Sequence, residues 1–188
     1  MTIAAQRVDS EVHERDRTTH VIFRVLAPED ADAVSRLLQE SPPEYMRFFH
    51  PFAFDFATVE QQLKRAKKDI FFGLEVATAW ERTLAGFYML RGLDEGYPNP
   101  MYGVFVALPF RGNGLARLTL VHAVSFCKLN GYERILLKVD PRNTHAKKLY
   151  ESCGFRFLRE EPGSRDVVLC KTIETDFVAA YDTLNIKE

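Results

Sequence analysis

The sequence predicts a single mixed α/β domain, a twisted and mostly antiparallel sheet flanked by helices. Three observations predict it. Strand-like and helix-like patterns follow one another in the order β α α β β β α β α β β. The three middle strands are joined by connections too short for crossovers, so they must form an antiparallel meander. A strand–helix–strand unit comes next, and such a unit crosses over right-handed to a parallel neighbour. The chain of 188 residues has the length of one domain, and 46% hydrophobic with 27% charged residues is ordinary for a globular protein.

Residues 1–19 read as a flexible charged tail, because Arg7 to Arg17 is dense in charge and has no clear period. Residues 20–188 are expected to hold the domain. Val21 to Ala27 is β-branched and aromatic, a strand that Pro28 ends. Ala31, Val34, Leu37, Leu38 and Ser41 share one helical face, which predicts a helix over 29–41 stopped by Pro42 and Pro43. Glu44 to Ala57 is rich in Phe, contains Pro51 and reads as irregular. Thr58 and Gln61 form a capping-box signature, and Val59, Leu63, Ala66 and Ile70 continue a helical face to about Asp69.

Strands are predicted at Ile70 to Thr78, Leu84 to Arg91 and Met101 to Leu108, with a Gly-, Asp-, Asn- and Pro-rich loop over 92–100. Leu115 to Asn130 is a long apolar helix with Gly131 in the C-terminal capping position. Arg134 to Asp140 has almost no polar interruption, as a buried strand requires. Ala146, Leu149, Tyr150 and Cys153 mark a short helix ending at Gly154. Phe155 to Arg159 and Val167 to Ile173 flank a Pro162-Gly163 turn, a hairpin.

Composition excludes several function classes. Lys plus Arg is 25 and Asp plus Glu is 26, a net charge of -1, so nucleic acid or an anionic membrane is not a partner by bulk charge. No metal is expected, since Cys127, Cys153 and Cys170 are widely spaced and no C-x-x-C or H-E-x-x-H run occurs. Free thiols fit a reducing compartment, residues 1–19 have no apolar signal region, and no stretch approaches the roughly 18 apolar residues of a membrane span. The expected location is cytoplasmic.

The sharpest local feature is Val104-Phe105-Val106-Ala107-Leu108-Pro109-Phe110-Arg111-Gly112-Asn113-Gly114-Leu115-Ala116. A strand runs into a Gly-rich turn that opens a helix. The first N–H groups of a helix lack intrahelical partners, and the dipole there is positive. Glycines let a phosphate approach those groups, and Arg111 adds a fork of donors. The pattern suits a pyrophosphate, although Asn113-Gly114 read alone is equally a tight turn. Downstream stand Asn143, Ala146 and Tyr150, followed by Gly154-Phe155.

Together these two segments resemble the GNAT family of acetyl-CoA-dependent N-acetyltransferases. Arg111-x-x-Gly114-x-Ala116 is similar to that family's acetyl-CoA loop, and Asn143-x-x-Ala146-x-x-x-Tyr150 with Gly154-Phe155 to its second segment. The element order from Val21 to Ile173 also matches. The resemblance implies that Arg111, Gly112, Asn113, Gly114, Leu115 and Ala116 hold the pyrophosphate of acetyl-CoA. It implies that Phe105 and Val106 align the pantetheine arm by backbone hydrogen bonds, and that Asn143 and Ala146 adjoin it. Asn143 equally reads as a plain helix N-cap.

The implied reaction is direct transfer of an acetyl group to a small-molecule primary amine. Tyr150 would protonate the departing thiolate, while its place beside Ala146 and Leu149 also fits core packing. Asp94, Glu95 and His50 are candidates for the base, as is a water chain. Leu90-Arg91-Gly92-Leu93-Asp94-Glu95-Gly96-Tyr97-Pro98-Asn99-Pro100 resembles a subgroup associated with bacterial surface polysaccharides, which implies an amino-sugar acceptor, nucleotide-linked in some members. A polyamine or a protein N-terminus remains open as acceptor, and so does a non-catalytic acyl-CoA-binding module. A homodimer through the C-terminal strands is implied too.

One number in the composition is unusual: 15 Phe, with seven Tyr and one Trp, make 12% aromatic. Phe48, Phe49, Phe52, Phe54 and Phe56 crowd around His50 and Pro51. His50, Phe52, Phe54 and Asp94 are the expected acceptor-side residues. A loop pinned to the core by aromatic anchors is the alternative.

Overall fold

A computed structural model describes residues 19–174. Most of the predicted tail, residues 1–18, and the last stretch of the predicted domain, residues 175–188, lie outside the described residues.

The elements run β1 (His20–Val25), α1 (Ala31–Gln39), α2 (Pro43–Met46), α3 (Phe56–Arg65), β2 (Ile70–Ala77), β3 (Arg82–Arg91), β4 (Met101–Val106), α4 (Leu115–Leu129), β5 (Arg134–Val139), α5 (Thr144–Ser152), β6 (Arg156–Glu160) and β7 (Val167–Thr172). They form a single seven-stranded sheet in the order β1-β2-β3-β4-β5-β7-β6. Every neighbouring pair is antiparallel except β4 with β5. The mixed, mostly antiparallel sheet flanked by helices is therefore as predicted.

Side chains alternate between the two faces, and each face has its own helical cover. Phe71, Phe87, Met89 and Phe105 meet Val34 and Leu38 of α1 and Val59 and Leu63 of α3. On the other face, Phe72, Tyr88, Leu90 and Tyr102 meet Leu120, Ala123 and Cys127 of α4 and Tyr150 of α5. Phe87, Tyr88, Leu90 and Leu120 are at most 1% exposed. Each such burial stabilises by roughly 1.5–3 kcal/mol.

Several local expectations are corrected. The predicted helix over 29–41 begins as a 3-10 turn over Pro28–Asp30 and becomes α-helical only from Ala31. The stretch over 44–57 is not wholly irregular, since α2 forms where Pro43 stands in the first turn. The helix expected to start at the Thr58 and Gln61 capping box begins earlier, because Asp55 is its N-cap. The Asp55 carboxylate accepts the Thr58 N–H at 2.9 Å and the Thr58 hydroxyl at 2.8 Å. That helix ends at Arg65, short of Asp69.

The predicted C-terminal hairpin is present, with β7 inserted beside β5 and β6 left at the sheet edge. Cys127 is buried, Cys153 and Cys170 are partly buried, and none is in a disulfide. Among the described residues no helix is long and apolar enough to cross a membrane, and no cluster of three or more His, Cys, Asp or Glu could hold a metal.

Candidate active site

The site is built where β4 and β5 part. β4 pairs with β3 along its whole length, but with β5 only at Met101↔Leu136 and Tyr102↔Leu137. β5 continues to Val139 on the side of β7. Beyond Tyr102 the two parallel strands thus enclose a wedge.

Register decides which backbone groups face it. The Ala107 N–H donates to Ala85 O at 2.8 Å, and Leu136 N–H donates to Pro100 O at 3.0 Å. In an antiparallel pair such bonds fall on alternate residues. Phe105 therefore spends its backbone groups on β3, opposite Phe87. Val104 and Val106 point the other way, into the wedge. Of the expected pair, Val106 turns its backbone groups into the wedge, as Val104 does, whereas Phe105 turns its own toward β3. The Val106 carbonyl accepts the Tyr45 hydroxyl at 2.7 Å. The N–H groups of Val104 and Val106 have no acceptor among the described residues.

The Gly-rich turn follows. Leu108–Phe110 is a 3-10 turn, and α4 then starts with Gly114 as its N-cap at φ 75°, with no side chain capping it. Gly112 is also left-handed, at φ 85°, and a Cβ at either glycine would meet open space. Leu115 is buried against Leu74 and Ala85, which fixes the turn to the sheet. From Gly112 through Ala116, five consecutive N–H groups have no acceptor among the described residues. A run of unsatisfied donors at the positive end of a 15-residue helix is a cradle for an anion. Arg111 stands at its entrance, with its guanidinium carbon 5.9 Å from the centre of the Tyr45 ring. The Asn113 side chain turns inward and donates to Phe110 O at 3.3 Å.

α5 supplies the next wall. Asn143 is its N-cap, and the side-chain oxygen accepts the Ala146 N–H at 3.2 Å. Ala146 packs against the core. Tyr150 is 8% exposed, its ring 6.5 Å from that of Tyr102 and 6.1 Å from that of Phe155. Its hydroxyl has no hydrogen-bond partner among the described residues. Burial pushes its pKa up to about 12, so it holds its proton across the physiological range. Tyr102 pairs its hydroxyl with Thr119 Oγ1 at 2.8 Å, and Thr119 donates to Ala116 O at 2.9 Å. These contacts tie the first turn of α4 to the floor beneath Tyr150.

The loop over 92–100 lies elsewhere. Arg91 pairs with Met101, so this loop sits at the opening end of β4, five residues and about 17 Å of strand from Val106. The Asp94 carboxylate accepts the backbone N–H groups of Lys67 and Lys68 at 2.9 Å each and of Asp69 at 3.3 Å. Those bonds hold its pKa below the ordinary carboxylate value. Asp94 thus caps the turn after α3. Glu95 is exposed on the same loop.

A family model described as the acetyltransferase (GNAT) family matches residues 32–155. The chain belongs to this family. It is 33% identical over 102 residues to the mycothiol acetyltransferase of Thermobispora bispora, a match that spans 50% of this chain and only 35% of that protein. A domain from Methanocaldococcus jannaschii superposes with a TM-score of 0.71 at 15% identity, over 82% of this chain and 99% of that one. The spermidine N-acetyltransferase of Vibrio cholerae, solved with CoA and spermine, superposes at 0.64 and 22% identity, over 81% and 95%. At these identities the two structures show the fold alone.

In this GNAT chain the Phe-rich segment separates into two groups. Phe52 and Phe54 pack into the layer of α1 and α3: Phe52 lies 6.4 Å from Phe71, and the Phe54 carbonyl accepts from Ser35 Oγ at 2.6 Å and Gln39 Nε2 at 2.9 Å. Phe49 does the same, 5.4 Å from Phe105. His50 is exposed, parallel to Phe54 at 6.4 Å. For these residues the anchoring alternative fits the contacts. Tyr45 reaches the wedge through its bond to Val106 O, and Phe48, three residues on, lies against Arg47 and Arg142 of the β5–α5 loop. Phe48 stood out in the sequence as a member of the Phe-rich cluster, whereas Tyr45, Arg47 and Arg142 did not. Pro43 starting a helical turn is the one signal that would have pointed to Tyr45.

Proposed function

We propose that this GNAT chain transfers the acetyl group of acetyl-CoA to a primary amine in one direct step. The observation that carries the reading is the run of five unsatisfied N–H groups, Gly112 to Ala116, opening beside a wedge lined by Val104 and Val106. Arg111 and this turn would hold the pyrophosphate. The N–H groups of Val104 and Val106 would align the pantetheine arm and lead the thioester toward Tyr150. Asn143 and Ala146 would form the start of the wall along that arm.

The amine nitrogen attacks the thioester carbonyl, the C–N bond forms and the C–S bond breaks. The protonated Tyr150 hydroxyl gives its proton to the departing sulfur and is reprotonated from solvent. The amine must lose one proton before attack and the acylated nitrogen a second after it. Water in the open wedge takes both, since the Asp94 carboxylate is occupied by three backbone N–H groups and Glu95 and His50 are exposed. For the acceptor we favour an amino sugar. The support is the resemblance of the Leu90 to Pro100 segment to the subgroup associated with bacterial surface polysaccharides.

A homodimer through β6 is part of the same reading. The edge strand is exposed along its length, with Phe157 63% and Leu158 45% exposed.

CoA release from acetyl-CoA is measured over a panel of amino sugars, nucleotide-linked amino sugars, polyamines and peptides. Saturable release with at least one amine is expected, with Arg111→Glu raising the KM for acetyl-CoA. Binding without release across the whole panel would favour a non-catalytic module.

A further inference from the structure

We propose that the acceptor amine also carries an anionic group, a carboxylate or a phosphate, which Arg47 and Arg142 receive at the mouth of the wedge. The inference rests on the acetyl-transfer reading and adds the charge of the acceptor to it.

The two arginines come from distant parts of the chain. Arg47 follows α2, on the face covered by α1 and α3. Arg142 follows β5 and stands directly before the Asn143 cap. Both converge on one ring, with guanidinium carbons 4.4 Å and 5.9 Å from the centre of Phe48. Arg47, Phe48 and Arg142 line a cavity of about 200 Å³. That is smaller than a drug-sized pocket and suits a single charged substituent.

The charges are not balanced from within. Asp140 fixes Arg142, accepting from its Nε at 3.0 Å and from a terminal nitrogen at 2.5 Å. The other terminal nitrogen of Arg142 has no acceptor among the described residues. Arg165 and Asp166, before β7, contribute one charge of each sign to this group. Arg47 has no carboxylate within ion-pair distance among the described residues; its contact is the Phe48 face. Holding two guanidinium groups on one ring costs Coulomb energy that an anion between them removes. Their planar forks match a carboxylate or a phosphate. The same charges repel a polycation such as spermidine.

This cavity is distinct from the pyrophosphate cradle. The cradle is built by Arg111 to Ala116, and none of those residues lines this cavity.

The test is direct binding, which needs no turnover. CoA-loaded protein is titrated with glucosamine 6-phosphate against glucosamine, with dialanine against dialanine amide, and with spermidine. The anionic member of at least one pair should bind about tenfold more tightly than its partner, and the pair that responds tells phosphate from carboxylate. Arg47→Glu, at an exposed position, should abolish that preference and leave CoA affinity unchanged. Equal binding within both pairs, tightest binding of spermidine, or an Arg47→Glu variant that loses CoA instead would overturn the inference. Failure of CoA itself to bind would instead reject the underlying acetyl-transfer reading.

Discussion

A phenol can act as an acid only while it keeps its proton, and the position of Tyr150 ensures that it does. Its burial against Tyr102 and Phe155 disfavours the phenolate, while its hydroxyl has no hydrogen-bond partner among the described residues. Tyr150→Phe removes the proton and little of the packing. It should lower kcat by about 10²-fold or more with acetyl-CoA affinity retained, read by steady-state kinetics beside calorimetry. Asp94 makes the opposite case. Three backbone N–H groups occupy its carboxylate, so Asp94→Ala should lower the melting temperature by a few degrees and leave kcat intact; a collapse of kcat with unchanged stability would return it to the chemistry. In the sequence both were polar residues near a motif. What told them apart was partners from distant positions, which no local pattern encodes.

At the scale of elements, the junction of β4 with α4 carries the account. Gly114 is left-handed with open space around it, so Gly114→Ala meets no clash and costs only backbone strain, about 1–2 kcal/mol. That strain would be relieved by rotating the N–H groups out of the cradle, so acetyl-CoA affinity should fall about tenfold in calorimetry. Gly86 differs. A Cβ there would stand 2.3 Å from Phe105 O and 2.9 Å from Val106 Cα, which are backbone atoms that cannot step aside. Gly86→Ala should push β3 from β4 and cost about 1–3 kcal/mol in urea denaturation. The turn from Arg111 to Ala116 was legible because glycine, arginine and a helix start lie together in the sequence. That Val104 rather than Phe105 turns its backbone groups into the wedge was not, because it depends on which neighbour each residue's N–H faces. Nor was the insertion of β7 between β5 and β6, since the hairpin reads the same on either side. Asp55 displaced Thr58 as the N-cap because both residues suit the position, and only the fold fixes where the chain turns.

The whole molecule shares one electrostatic feature, tyrosines buried or half-buried on or beside the sheet. Burial raises the pKa of Tyr45, Tyr88, Tyr102 and Tyr150 above the ordinary phenol value. The folded state then binds protons that the unfolded state releases from about pH 10, so stability falls as pH rises. For Tyr150 the contribution is complete below about pH 10 and is lost as pH passes about 12. Thermal melts from pH 8 to 12 should therefore show a decline that begins near pH 10, and a flat profile would mean these hydroxyls are solvated. The order of elements, and with it the fold, was legible along the whole described chain, because period and turn chemistry are local. The acceptor side was legible only in part: Phe48 belonged to the Phe-rich cluster, but its contact with Arg142 joins distant parts of the chain. The central claim is that the donor cradle from Arg111 to Ala116 is formed and waiting. Calorimetric titration of acetyl-CoA into the protein and into Arg111→Glu tests it most directly. Saturable one-site binding that Arg111→Glu weakens by about tenfold is the predicted result, and no binding, or equal binding by both proteins, would contradict it.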